Sequence, residues 1–172
     1  MENSSLTRYS GAMRILRRFL LLCALGWWLG GMTFYTLTVI RAARQVTGSH
    51  AKVGFITQKT TLALNAIGAA ALALMLWDAA ASWRPARRWI RRGLALSWVV
   101  TAIAHAWAML LHARLDRMLD LQALAVPDRA SFHPVHELYL IATSLEWVAG
   151  LAFLLAALFA WRDADAVSSD RT

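Results

Sequence analysis

The chain has 172 residues, 59% of them hydrophobic and only 16% charged, against about 25% charged in an ordinary soluble domain. That much apolar surface cannot be hidden inside one water-soluble globule of this length. Nine Trp, six Phe and a single cysteine also exclude a disordered chain and a disulfide scaffold. The net charge of +8 lies in short clusters between apolar runs. Such clusters are membrane-topology signals, not the basic, aromatic-interleaved face of a nucleic-acid binder.

A helix needs about 20 mostly apolar residues to cross ~30 Å of hydrocarbon. Four such runs are predicted, at about residues 19–40, 56–80, 93–111 and 137–160. The first follows Arg14, Arg17 and Arg18 like a signal peptide, but its apolar stretch is too long for one and shows no small-residue cleavage site. Leu21-Leu22-Cys23 lacks the small residue of a lipoprotein signal. Gly26 and Gly30 form G-x-x-x-G, read as close packing inside the bundle or as a face for self-association. Arg41 to Phe55 is predicted as a loop carrying Gly48 and Gly54, and Trp83 to Arg92 as a short Pro-containing hairpin. After the third run, Leu111, Leu115, Met118 and Leu119 keep helical spacing. The third helix is therefore expected to continue as an amphipathic extension, broken at Gln122 and ended by Pro127, and the fourth to restart after Pro134. Residues 1–10 and 163–172 read as flexible tails of one domain, 1–172.

Four spans place both termini on one side. That side holds 11 basic residues and the other 7, the densest group being Arg84, Arg87, Arg88, Arg91 and Arg92. The positive-inside rule puts the termini in the cytoplasm, with Trp77, Trp83, Trp89 and Trp161 as an aromatic belt. The expectation is an all-α, multi-pass four-helix bundle of the inner (plasma) membrane, with the lipid bilayer as its partner. Arginine outnumbers lysine 16 to 2 and alanine abounds, which points to a GC-rich bacterial source.

The apolar runs contain a few polar residues. Asn65, His105 and Glu146 lie a few residues to the same side of their span midpoints, and Thr33 falls at a similar level. At 1.5 Å per residue they share one depth within a few Å. A lone carboxylate in hydrocarbon is costly, so Glu146 should face inward and pair with His105 or Asn65. Three readings stand for this cluster: a hydrogen-bonded group that fixes helix register, a proton or ion relay or polar ligand pocket, and a Glu146 without a polar partner. A second group, His112, His133 and His136, falls at the non-cytoplasmic ends of the third and fourth runs, with His50 on the same side. The His133-x-x-His136 spacing suits copper or zinc if the rings converge, with Met109 and Met118 nearby, and His112 with His136 suits haem. Interfacial histidines that bind nothing are the alternative, with no cofactor at all.

Enzyme chemistry finds no motif. The chain has no P-loop, nucleophile elbow or Cys-x-x-Cys, and His136-Glu137 lacks the second histidine of H-E-x-x-H. Cys23 sits in an apolar helix, where a thiol is inert. The leading expectation is a small non-enzymatic membrane protein, a scaffold or accessory subunit. The alternative is a metal or haem carrier or sensor, or a proton relay.

Several short motifs resemble the transmembrane protein 205-like family. These are Gly30-Gly31-Met32-Thr33-Phe34-Tyr35, Gly54-Phe55 with Gln58, His112-Ala113-Arg114-Leu115-Asp116, and Phe132 followed by His136. The resemblance implies a small four-helix membrane protein and assigns no chemistry. Thr60, Thr61 and Leu62 depart from the family's Pro-aromatic stretch, and Thr143 and Glu146 from its later polar residue. A weaker resemblance is to the membrane domain of copper-resistance D proteins, through the glycine-rich first span and the histidines.

Overall fold

A computed structural model describes residues 3–48, 50–83, 86–120 and 126–169. Arg84, Gln122 and Arg171 lie outside the described residues, as do the side chains of Arg8 and His50. The described residues are all helical, apart from short connections. The elements are α1 (Asn3–Phe34), a π turn (Tyr35–Val39), α2 (Ile40–Thr47), α3 (His50–Ser82), α4 (Arg88–Arg117) and α5 (Arg129–Ser169). Four helical stretches are long and apolar enough to cross a membrane: 11–47, 52–82, 88–117 and 129–167.

α1 packs on α3, α3 on α4, α4 on α5, and α5 closes back on α1, while α1 and α4 sit at opposite corners. Short connections explain this order, because each forces the next helix to return antiparallel beside the last. The bundle therefore has two ends, a hairpin end where α3 stops at Ser82 and α4 begins at Arg88, and a far end at Gly48, where α4 stops at Arg117 and α5 begins at Arg129. Phe19, Trp27, Ile103, Leu110, Ile141 and Val148 are among many large apolar side chains left exposed on its outside.

Inside lie two apolar clusters. The larger joins all four stretches toward the hairpin end, through Leu21, Leu25, Trp28, Ala71, Met75, Leu94, Phe153 and Ala157. The smaller, Ala108, Leu111, Leu115, Val135 and Ala142, fills the α4–α5 seam toward the far end.

Several boundaries differ from the sequence-based expectation. The expected loop 41–55 is mostly helix: α2 runs to Thr47 and α3 begins at His50. Gly48 alone makes the break, with φ +58° and its N–H donating to the Arg44 carbonyl at 3.0 Å. That left-handed cap strongly favours glycine. The amphipathic extension stops at Arg117. α5 starts before Pro134, not after it, because Asp128 caps it by accepting from the Ser131 N–H at 3.1 Å. Pro134 sits in the second turn, where its missing N–H leaves one carbonyl, that of Ala130, without its helical donor, and Ala130 lies at the exposed helix start. The expected tails are helical as far as Asn3 and Ser169.

The small residues are also redistributed. Gly26 and Gly30 face outward with open space around them, so they do not pack inside the bundle. Close approach happens at Gly68, where an added Cβ would lie 2.6 Å from Trp28 Nε1 and 2.8 Å from His105 Cε1. Trp161 is buried, unlike Trp77, Trp83 and Trp89, so it does not belong to an outer belt.

Candidate functional site

Between the two apolar clusters, α4 and α5 bring His105 and Glu146 together. Their neighbours along the shared face are small: Ala104 and Ala108 on α4, Ala142, Ala149 and Gly150 on α5. Small residues let the helices approach until two polar side chains meet between them. His105 Nδ1 and Glu146 Oε1 are hydrogen-bonded, and the two residues are only 5% and 1% exposed. One proton shared by the pair makes it net neutral, whether it sits on nitrogen or on oxygen. Taking that proton away leaves an uncompensated carboxylate in an apolar interior, which is expensive.

His105 is held from its other side by α3. The ring lies over Gly68 and meets Trp28 edge-on, with centroids 6.0 Å apart. Its second nitrogen, Nε2, is buried and has no hydrogen-bond partner. Asn65 is one turn before Gly68 on α3, and its Nδ2 is likewise buried without a partner. Thr101, fully buried one turn before His105, donates to the Ser97 carbonyl at 2.7 Å and so satisfies itself within α4.

Thr33, placed at the same level by counting residues, has another role. Its hydroxyl donates to the Leu29 carbonyl at 2.8 Å and accepts from Trp147 Nε1 at 3.0 Å. It ties α1 to α5 next to the His–Glu pair.

Toward the far end the polar residues continue. Tyr139, two turns before Glu146 on α5, is half-buried, and the buried Thr61 of α3 lies near its phenol. Tyr35, at the start of the π turn, lies near enough that its ionised phenol would repel that of Tyr139. His112 packs beside Tyr139, ring centroids 6.1 Å apart. Its Nε2 lies 3.6 Å from Asp116 Oδ2, too long for a hydrogen bond, and is buried without a partner.

The three histidines considered for metal or haem are not brought to one point. Among the described residues no three His, Cys, Asp or Glu side chains form a group able to hold a metal ion. His112 meets Tyr139 rather than His136. His136 stacks on Phe132 with centroids 5.8 Å apart, while His133 is exposed with Nε2 3.6 Å from Glu137 Oε1. The physical reason is the early start of α5, which fixes both histidines on a regular helix instead of a returning loop.

One buried group was not anticipated. Asp78 of α3 is fully buried and accepts from Arg17 Nε at 2.7 Å and Trp161 Nε1 at 2.9 Å. Ser82 completes it, 3.5 Å from Asp78 Oδ2 and 3.4 Å from Arg17 Nη2. Beside it Arg18 bonds both oxygens of Asp165, at 2.9 and 3.0 Å, and lies over the Trp161 ring at 5.2 Å. A signal existed: Asp78 is the one acidic residue within the run 56–80, and Ser82 follows it by one turn. Comparison with protein-family models, with curated proteins and with solved structures finds no match to this chain.

Proposed function

We propose that this chain is a small, non-enzymatic multi-pass protein of the bacterial inner membrane, with both termini in the cytoplasm, and that its interior carries an exchangeable proton on the His105–Glu146 pair. The membrane assignment rests on four stretches of suitable length and hydropathy and on the exposed apolar surface they present. The orientation rests on the excess of arginine at the hairpin end and the termini. The proton-carrying reading rests on one observation: a hydrogen-bonded His–Glu pair deep in the bundle whose histidine keeps an unpartnered second nitrogen. A histidine used only as a structural tie would be expected to have both nitrogens satisfied.

Infrared difference spectra of the purified protein in liposomes test this. A protonated-carboxyl band that changes with pH and is absent in Glu146→Gln is the expected result. A pair that does not exchange its proton anywhere in the stability range of the protein would overturn it. His105 and Glu146 would then be a contact that sets helix register. The protein would fit the role of a scaffold or accessory subunit, recovered with a larger complex.

A further inference from the structure

The buried polar groups are distributed unevenly about the His–Glu pair. Toward the hairpin end the interior is apolar for several turns. Leu21, Leu25, Ala71, Met75, Leu94, Phe153 and Ala157 fill it, each at most 1% exposed. The two hydroxyls on that stretch of α4, Thr101 and Ser97, are spent on carbonyls of their own helix. The Asp78 cluster lies beyond this plug, 13 residues from Asn65 along α3, or about 20 Å at 1.5 Å per residue.

Toward the far end the arrangement is the opposite. Thr61 follows Asn65 by one turn on α3. Tyr139 follows Glu146 by two turns on α5, and His112 and Asp116 continue the line of His105 on α4. Three nitrogens along this column, His105 Nε2, Asn65 Nδ2 and His112 Nε2, are buried with no hydrogen-bond partner. Their residues are only 5%, 6% and 8% exposed. Buried polar atoms left this way are costly unless something polar reaches them. The smaller apolar cluster is built from α4 and α5 alone, with no residue of α3, and Thr61 of α3 is buried one turn from Asn65 on this side.

We infer that these groups form a one-ended polar file, which lets water and protons reach His105 and Glu146 from the far end, at Gly48 and the α4–α5 connection, and not from the hairpin end. This rests on the proton-carrying reading and adds the side from which the proton comes. The groups facing the file are Tyr35 before α2, His112 and Asp116 on α4, and Tyr139 on α5, with His136 and Arg44 near its mouth. α3 lines it with Thr61 and Asn65, and its nearest charge on that side, Lys59, is exposed.

Cysteine accessibility in membrane vesicles tests the file, with Cys23→Ala as background and a small anionic, membrane-impermeant methanethiosulfonate as probe. Val46→Cys and Val167→Cys, both at exposed positions near opposite ends, report which end faces the reagent. Thr61→Cys and Asn65→Cys should be modified when Val46→Cys is accessible, with complete loss of modification in vesicles of the other sidedness. Ala71→Cys and Met75→Cys should react from neither side. Modification of Thr61→Cys and Asn65→Cys from both sides, or no faster than of Met75→Cys, overturns the file. That failure is separate from failure of the parent reading. The infrared band of Glu146 would still titrate if only the file is wrong. Val46→Cys and Val167→Cys would react from the same side if the chain does not span the bilayer.

Discussion

Among the described residues two carboxylates are buried, Asp78 and Glu146, and they are treated differently. Asp78 is saturated: a guanidinium, an indole and a hydroxyl converge on it from α1, α5 and its own helix. Glu146 meets a single histidine, which is itself left with an unpartnered nitrogen. A saturated carboxylate has nothing left to exchange and serves to lock three helices at one end. A pair with spare hydrogen-bonding capacity holds helices less firmly, and it is there that the proposed proton exchange is sited. Burial alone does not separate the two, since both acids are essentially inaccessible.

The sharpest way to break the comparison is to remove one partner of the saturated cluster. Asp78→Ala leaves Arg17 and Trp161 facing each other without an acceptor, and should cost about 3–5 kcal/mol, the usual penalty for splitting a buried ion pair. Thermal unfolding in detergent would show it as the largest loss in the series. At the other carboxylate, Glu146→Leu strands His105 Nδ1 as well as Nε2 and should cost about 1–3 kcal/mol. Glu146→Gln keeps a hydrogen bond and should unfold close to wild type while losing the carboxyl band. Equal losses for the Leu and Gln variants would show that the pair is held by charge and not by hydrogen bonding.

Gly68→Ala attacks the same pair from behind. The new methyl collides with Trp28 and His105, so overpacking should cost about 1–3 kcal/mol. The histidine ring should also turn away from Glu146, visible as a changed carboxyl frequency. Smaller still, Trp147→Phe removes only the indole bond to Thr33, worth about 0.5–1.5 kcal/mol, and should leave the carboxyl band in place.

The smallest effect belongs to the cap of α5. The hydroxyl and N–H of Ser131 hold the exposed Asp128 carboxyl below its ordinary range. A carboxyl lowered on folding stabilises the helix start above its unfolded value and stops doing so as pH falls through its folded value. The difference in stability between wild type and Asp128→Asn, measured across acid pH, should therefore shrink toward the acid end. A difference that grows there would contradict the cap.

The four long helices were legible because lipid demands uninterrupted apolar runs, and little else in a sequence looks like one. The depth of His105 and Glu146 was legible for a similar reason, since a fixed rise per residue turns counting into height. Rotation about the helix axis was not. Gly26 and Gly30 look like a packing face until the other helices place them outside, whereas Gly68, with no such pattern around it, takes the closest contact. Thr33 has the right height but its hydroxyl is claimed by Trp147. Asp78 escaped notice because it stands beside Trp77 at the end of a run, and because Arg17 reads as a topology charge when it is the partner of a buried carboxylate. The three histidines failed to meet because a capping aspartate, not the proline six residues later, decides where α5 begins.

α5 is 41 residues long, which at 1.5 Å per residue is about 60 Å, twice the ~30 Å of a hydrocarbon layer. One continuous rod thus carries His133 near one tip, Glu146 in its middle and Asp165 near the other tip. In a bilayer such a rod stands out into water at both surfaces or leans steeply. Its Asp165 tip, at the hairpin end, is gripped by Arg14 and Arg18, so the two ends of the rod and the pair in its middle share one rigid axis. The short reach between Glu146 and His105 ties the height of that axis to a single contact in the middle of the bundle.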